Sequence, residues 1–312
     1  MSTLASNVHR TFVMGIVWPP LPLDDWRATR ETLHRYAQVI GKVQLALTPA
    51  VCHFWNVALH VTARGLMTPA LRSDGRTFDI ELDFLDHQLR FRTSDGRRLD
   101  RALRPLAVAD FYRETMAALD ALGVHVTIDD HPVELRSERI PLSQDRVHDA
   151  YDREAVERFF RVLSNACQAL EQFRARFLGK ASEVGFYWGT FDLAASRYSG
   201  RRAPDPGGGI IEREAFSHEV SEVGFWPGDA VYAEPAFYAL HYPAPDGYAR
   251  AAVRPPSAYW FEPSRCFVLP YETCRREPDP VAQILDFCQS TYEAGANLAS
   301  WDRAELEQRD SE

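Results

Sequence analysis

Residues 77–93 limit the folds open to this chain more than any other stretch, because they read as an antiparallel hairpin on both faces at once. With Asp86 and His87 as a two-residue turn, Phe84 faces Leu89, Asp83 faces Arg90, Leu82 faces Phe91 and Glu81 faces Arg92. Apolar residues then meet apolar residues and acids meet arginines. Strand side chains alternate between faces, so a slip of one residue would turn one strand's whole apolar set toward water. The first half of the chain is therefore expected to contain an antiparallel sheet with one packed face and one polar face.

Helical periodicity brackets that sheet. A first helix is predicted from Asp24 or Asp25, either able to cap it, to Ile40, with Gly41 in the left-handed position just past its end. His53 to Arg64 follows as a strand with Trp55, Val57, Leu59 and Val61 on one face. After Pro105 a second helix carries Val108, Phe111, Thr115, Met116, Leu119 and Leu122 at helical spacing and stops at Gly123. A fourth strand is expected within Val124 to Leu135. A long helix starts at Tyr151 or Asp152, strand-like segments follow at 183–197, 235–243 and 265–270, and a last helix begins after Pro280.

This order looks doubled. Only two of the 35 basic residues are lysines, Lys42 and Lys180, and each follows a glycine between a helical stretch and an aromatic segment. Phe54-Trp55 and Tyr187-Trp188 are each followed, nine residues past the tryptophan, by an arginine, Arg64 and Arg197. The expected architecture is α+β: two tandem α-β-β-β-α pseudo-repeats related by approximate two-fold symmetry, with antiparallel sheet packed against helices. The boundaries read as a loosely attached leader over 1–23, a first repeat over 24–135, a linker over 136–150, a second repeat over 151–301 with a long insertion at 198–234, and a tail over 302–312.

A net charge of −9 with arginines scattered among acids offers no basic stripe for nucleic acid. The apolar run Phe12 to Trp18 is too short, and too soon broken by Pro19-Pro20, to cross a bilayer. Five cysteines without Cys-x-x-Cys or zinc spacing suit a reducing compartment, so the expected location is cytoplasmic.

Candidate chemistry gathers in the second half. Asp192 sits in a strand where the first half has Leu59, and a strand carboxylate that is buried needs a partner. The alternative is a solvated sheet face. The 198–234 stretch holds Arg201-Arg202, suited to grip a carboxylate or phosphate, then a glycine run, Ser217-His218-Glu219 and Gly224-Phe225-Trp226-Pro227-Gly228. His218 is the candidate general acid or base, with Asp192 or Glu219 to orient it, and His53 and His241 are spare imidazoles. Lys42, Lys180, Arg197, Arg201 and Arg202, with Trp188 and Trp226, are the candidate ligand-binding residues. The plainer reading of both Gly-Lys pairs is a helix end with a lysine near the negative pole of its dipole. No phosphate-binding loop, dinucleotide fingerprint, nucleophile elbow or His-Glu-x-x-His pattern is present, so no cofactor and no metal ligand set is identified.

Four motifs carry a resemblance: Gly-Lys-x-x-Leu-Ala-Leu-x-Pro at 41–49, Val-Thr-Ala-Arg-Gly-Leu at 61–66, Phe-x-Trp-Gly-Thr-Phe-Asp-Leu at 186–193 and Ser-His-Glu-Val-x-x-x-Gly-Phe-Trp-Pro-Gly at 217–228. Through them the chain, from about Trp26 to about Trp301, resembles a bacterial domain-of-unknown-function family, DUF5996. The resemblance implies one module across both halves and brings no activity, substrate or cofactor. The leading expectation is a cytoplasmic protein, with an enzyme among its readings, acting on a small anionic metabolite in a cleft beside residues 186–228. The alternatives are a non-catalytic ligand- or protein-binding module that uses the aromatic stretch around Trp226 and, third, a metal-dependent hydrolase.

Overall fold

The computed structural model describes residues 17–135 and 139–308. Helix α1 (Arg27–Leu47) leads, through a 3₁₀ segment at Cys52–Val57, into six strands: β1 (His60–Val61), β2 (Gly65–Met67), β3 (Leu71–Ser73), β4 (Arg76–Asp83), β5 (Gln88–Thr93) and β6 (Arg98–Ala102). Helix α2 (Val108–Ala121) closes this half. The second half runs α3 (Arg153–Arg174), β7 (Gly185–Tyr187), β8 (Asp192–Arg202), α4 (Ile210–Ala215), β9 (His218–Trp226), β10 (Ala236–Tyr242), β11 (Tyr259–Phe261), β12 (Cys266–Pro270), α5 (Tyr271–Cys274), α6 (Pro280–Leu298) and α7 (Arg303–Leu306). All pairings are antiparallel, in the order β1-β2-β4-β5-β6 with β3 on β4, and β11-β12-β10-β9-β8-β7. The α+β class read from the sequence is the observed one, but each half carries six strands where three were expected.

The halves share one hydrophobic core running from Trp18 to Trp301. Two contacts weld them. Leu59, just before β1, exchanges both backbone hydrogen bonds with Phe186 of β7 at 2.8 Å, so the two sheets meet edge to edge. One stripe of α1 also docks on the β7–β8 turn: His34 Nε2 donates to the Gly189 carbonyl at 2.9 Å, and Gln38 reaches the same carbonyl at 3.4 Å. Arg30, His34, Gln38 and Gly41 follow one another at four- and three-residue steps and so share a helix face. Gly41 lies inside α1, not after it, and a Cβ there would overlap the Trp188 indole. A helix-interior glycine costs about 1 kcal/mol relative to alanine, and the buried indole set against the helix backbone offsets that cost.

The predicted β4–β5 hairpin forms with its faces as expected and its register moved by two residues. Asp79 pairs with Arg92, Ile80 with Phe91, Glu81 with Arg90 and Leu82 with Leu89. The loop has four residues, because Asp83 Oδ1 accepts from the amides of Leu85 and Asp86 at 2.9 Å and caps the strand early. A two-residue shift preserves the side-chain alternation, so the apolar and charged faces survive.

Other local expectations are corrected. Of the strand expected over His53 to Arg64, only β1 at His60–Val61 forms: His53 and Phe54 have φ of 59° and 56°, and Gln44 takes the carbonyls of Asn56 and Ala58 at 2.7 and 2.9 Å. No strand forms in Val124 to Leu135, where the Gln38 amide satisfies both backbone groups of Val133. Residues 183–197 are a hairpin, turning at 188–191, and the 198–234 stretch is largely the end of β8, α4 and the central strand β9. Lys42 lies inside α1 whereas Lys180 follows α3 outside any helix, so the lysine match is not a structural one. From Trp18 the leader is packed rather than loose, with Trp18, Leu21 and Leu23 buried and the Pro19 carbonyl accepting from Tyr271 at 2.6 Å. Residues 1–16 and 136–138 lie outside the described residues, and the rest of the expected linker is anchored by a buried Asp145–Arg35 ion pair at 3.0 Å.

Gly41→Ala tests the α1–turn contact. Helix propensity alone predicts stabilisation, whereas the indole contact predicts a loss of about 1–3 kcal/mol, read as a lower denaturant midpoint at unchanged m-value.

Candidate functional site

The second sheet has two unlike faces. Leu193, Ala195, Val223, Phe225, Phe237, Ala239, Phe267 and Leu269 are all buried on the face that packs against α3 and α6. The opposite face carries Asp192, Ala194, Ser196 and Tyr198 of β8, Glu222, Gly224 and Trp226 of β9, and Tyr238 and Leu240 of β10. This second face floors two cavities of about 260 and 250 Å³ that share Glu134, Thr190, Asp192 and Glu222. The larger is walled by α1 through Arg30, Glu31, His34 and Arg35. The smaller is walled by aromatic rings, among them Phe54, Trp55, Tyr187, Trp188, Tyr198 and Phe216.

At the shared floor two carboxyl groups meet one hydroxyl. Tyr238 Oη donates to Asp192 Oδ2 at 2.5 Å and lies 3.3 Å from Glu222 Oε1. Asp192 also accepts from Thr190, and Glu222 accepts from Ser196 at 2.9 Å. The tyrosine reaches this position because β9 offers Gly224 beneath it: a Cβ there would overlap the Tyr238 ring and the Leu193 carbonyl. Burial raises the Asp192 carboxyl above the usual carboxylate range, and burial together with the Asp192 charge moves Glu222 up to about 7. Of the pair, Asp192 receives the shorter tyrosine bond and holds the charge, while Glu222 retains a proton near neutrality. Glu134 lines both cavities from the exposed rim of the cleft, and desolvation followed by Asp192 and Glu212 moves it up to about 7. Gly189 gives it room, since a Cβ there would overlap the Glu134 carboxylate.

Across the larger cavity stands Arg30, 7% exposed, with its guanidinium over Phe191 at 5.4 Å. Its Nε is buried without a partner, and among the described residues the guanidinium makes no hydrogen bond or ion pair. Burial lowers its pKa to about 10, so it remains charged at neutral pH. Neighbouring His34 is neutral: burial, then Arg30, push it well below the ordinary imidazole range.

The residues singled out in the sequence divide between this cleft and other places. Asp192 and Trp226 line the larger cavity, and Asp192 and Trp188 the smaller. His218 does not join Asp192: Asp192 lies one residue before the Leu193–Phe225 pair and His218 pairs with Arg202, eight residues from Trp226 along β9, or roughly 26 Å at the usual strand rise. Glu219 accepts from Ser199 at 2.9 Å and pairs with Arg201 at 2.6 Å, and Arg201 also donates to the Ala299 carbonyl. Arg202 is exposed on β8 beside His218. Arg197 belongs to the helix face by alternation, where it lies 3.5 Å from the Phe173 ring centroid and donates to the Phe173 carbonyl. Lys42 is buried in α1 with its pKa lowered by desolvation against the pull of Asp129 and Asp130. Lys180 Nζ donates to His53 Nε2 at 2.8 Å. His53 lines the smaller cavity with its ring 5.3 Å from that of His218, whereas His241 is buried under α6 and held to about 4 by desolvation. Phe225 is fully buried, so the Phe225–Trp226 pair presents no flat exposed patch.

Sequence reasoning missed Arg30, Glu134, Glu222 and Tyr238. Glu222 carried the same signal as Asp192, a carboxylate between apolar strand residues Val220 and Gly224, whereas Arg30 is indistinguishable from a solvated helix arginine until the cavity is seen. Among the described residues, Asp129, Asp130 and His131 are close enough to one another to share an ion, and they lie outside both cavities. No helix of the described residues is long and apolar enough to cross a membrane.

A family model described as a family of unknown function matches residues 18–308. Comparisons with the curated proteins and with the solved structures find no match.

The raised carboxyls set a stability dependence on pH. Glu222 binds its proton more tightly folded, at about 7, than at its ordinary 4.5, so its contribution is full below 4.5 and is lost as pH rises through 7. Glu222→Gln removes this dependence. Between about pH 5 and about pH 8 the melting temperature of the wild type is expected to fall more than that of the variant, compared by calorimetry in matched buffers.

Proposed function

The chain belongs to that family, DUF5996, a premise that fixes the extent of the module and no chemistry, and from the geometry we propose an enzyme that performs general acid–base catalysis on a small anionic metabolite. One observation carries this reading: the buried Asp192 carboxyl and the half-buried Glu222 carboxyl, joined by the Tyr238 hydroxyl, face an unpaired guanidinium within one cavity. Carboxyl pairs whose surroundings drive their pKa values apart supply an acid and a base together, and a group near 7 transfers protons most effectively at neutral pH.

In this reading Arg30 holds a carboxylate or phosphate of the ligand, the role expected at the sequence level of Lys42, Lys180, Arg197, Arg201 and Arg202. Asp192 accepts a proton from one ligand atom while Glu222 donates its own to another. Passage of a proton from Asp192 to Glu222 through the Tyr238 hydroxyl restores the starting state, so the cycle balances without a co-reactant. Asp192, expected to orient His218, is the base in this reading, and Glu222 takes the acid part expected of His218. The alternative, a non-catalytic ligand- or protein-binding module built on the aromatic stretch around Trp226, has less support as a protein-docking surface, because Phe225 is buried and Trp226 lines the larger cavity. The cytoplasmic expectation and the bacterial one stand as part of this proposal.

A thermal-shift screen of succinate, malate, inorganic phosphate and comparable anions tests the reading on wild type, Arg30→Ala and Arg201→Ala. At least one anion is expected to stabilise the wild type and Arg201→Ala, with affinity weaker by about tenfold to a hundredfold in Arg30→Ala. No selective stabilisation of wild type, or equal stabilisation of Arg30→Ala, overturns it.

A further inference from the structure

The two cavities differ in kind and meet over the reacting carboxyls. One holds the unpartnered Arg30 guanidinium; the other is lined by rings, with Trp55, Tyr187 and Tyr198 presenting flat apolar surface and Ala194 leaving the floor clear. At about 260 and 250 Å³ each falls below the roughly 300–1,000 Å³ usual for a site that encloses a drug-sized ligand, and only the two together reach it. Asp192 and Glu222 belong to both walls, so a molecule spanning the cleft must present its middle to them. Resting on the acid–base reading above, we infer that the substrate is bipartite: an acid whose anionic head lies against Arg30 and whose aromatic or bulky apolar group fills the ring-lined cavity, with the bond or proton that changes lying between them over Asp192 and Glu222.

Ring faces favour planar apolar groups beyond the area they bury, and the tyrosines of this cavity stay neutral because burial raises them. Their hydroxyls and the ring edges therefore add no charge that would compete with Arg30 for the anionic end. The head is thus placed by charge and the tail by shape.

Isothermal titration with acetate, hexanoate, 3-phenylpropanoate and 5-phenylpentanoate tests the inference. In the wild type at least one phenyl-bearing acid is expected to bind tenfold or more tighter than acetate. Ala194→Leu, which fills the floor of the ring-lined cavity, is expected to abolish that advantage while leaving acetate unchanged, and Ala215→Leu, on the facing wall, provides the same test should the first variant not fold. Arg30→Ala is expected to weaken all four acids by tenfold or more. Equal affinity for acetate and the phenyl acids, or a phenyl advantage retained in both filled variants, overturns the bipartite substrate and leaves the Arg30 reading standing. Undiminished binding of all four acids by Arg30→Ala overturns the Arg30 reading itself.

Discussion

The structure depends on the polar stripe of α1 being seated on the β7–β8 turn. His34 and Gln38 occupy the carbonyls of Trp188 and Gly189, Gly41 admits the Trp188 indole, and Phe191 stacks between His34 and Phe159. Phe191 itself sits at φ 63°, a left-handed conformation that costs a residue without glycine's freedom about 1–3 kcal/mol, and its ring is fully buried by these neighbours. A helix of the first half thus fixes the shape of a turn in the second. Asp192, the next residue, starts β8 from that turn, so the contact that joins the halves also aims the carboxylate.

The same seating explains the unusual electrostatics of the cleft. A sheet face left to water would hold Asp192 and Glu222 as ordinary solvated acids. Here α1 and the Glu134 segment lie over it, and burial comes first among the causes that raise all three carboxyls. Hydroxyls from Thr190, Ser196 and Tyr238 replace only part of the lost water. Arg30, on the covering helix, is desolvated in the same step, which leaves a charge of each sign poised across one cavity. Opposite charges held apart in a partly dry cleft are a stored attraction for a ligand that can complete the circuit.

The sequence revealed what depends on period and little that depends on distance. The hairpin's faces, α2 with its Gly123 stop, α3 starting after Asp152 and α6 starting at Pro280 follow from local patterns, and all four were legible. Strands β2, β3 and β11 have three residues each, too few for alternation to be recognised. Gly41 misled because a glycine near a helix end reads as a stop, and the indole that makes glycine necessary there comes from a residue 147 positions away. Alternation from Asp192 already assigned Arg197 to the other face; its burial among Phe173 and Tyr292 follows from that parity, while its choice as a ligand residue rested on the repeat. Arg30 could not be found this way, since what distinguishes it is the absence of a partner.

A cleft assembled from both halves also accounts for the extent of the family match. Arg30 comes from α1, Glu134 from the segment after α2, and Asp192, Glu222 and Tyr238 from the central strands of the second sheet. Neither half contains both the guanidinium and the carboxyl pair. Separating them would expose the Leu59–Phe186 strand edges and the His34–Gln38 stripe, and would uncover the cleft from the α1 side. The cleft therefore cannot be divided without separating its lining, and the packing that holds it runs from Trp18 on Tyr271 near one end of the described chain to α6 beneath the sheet near the other.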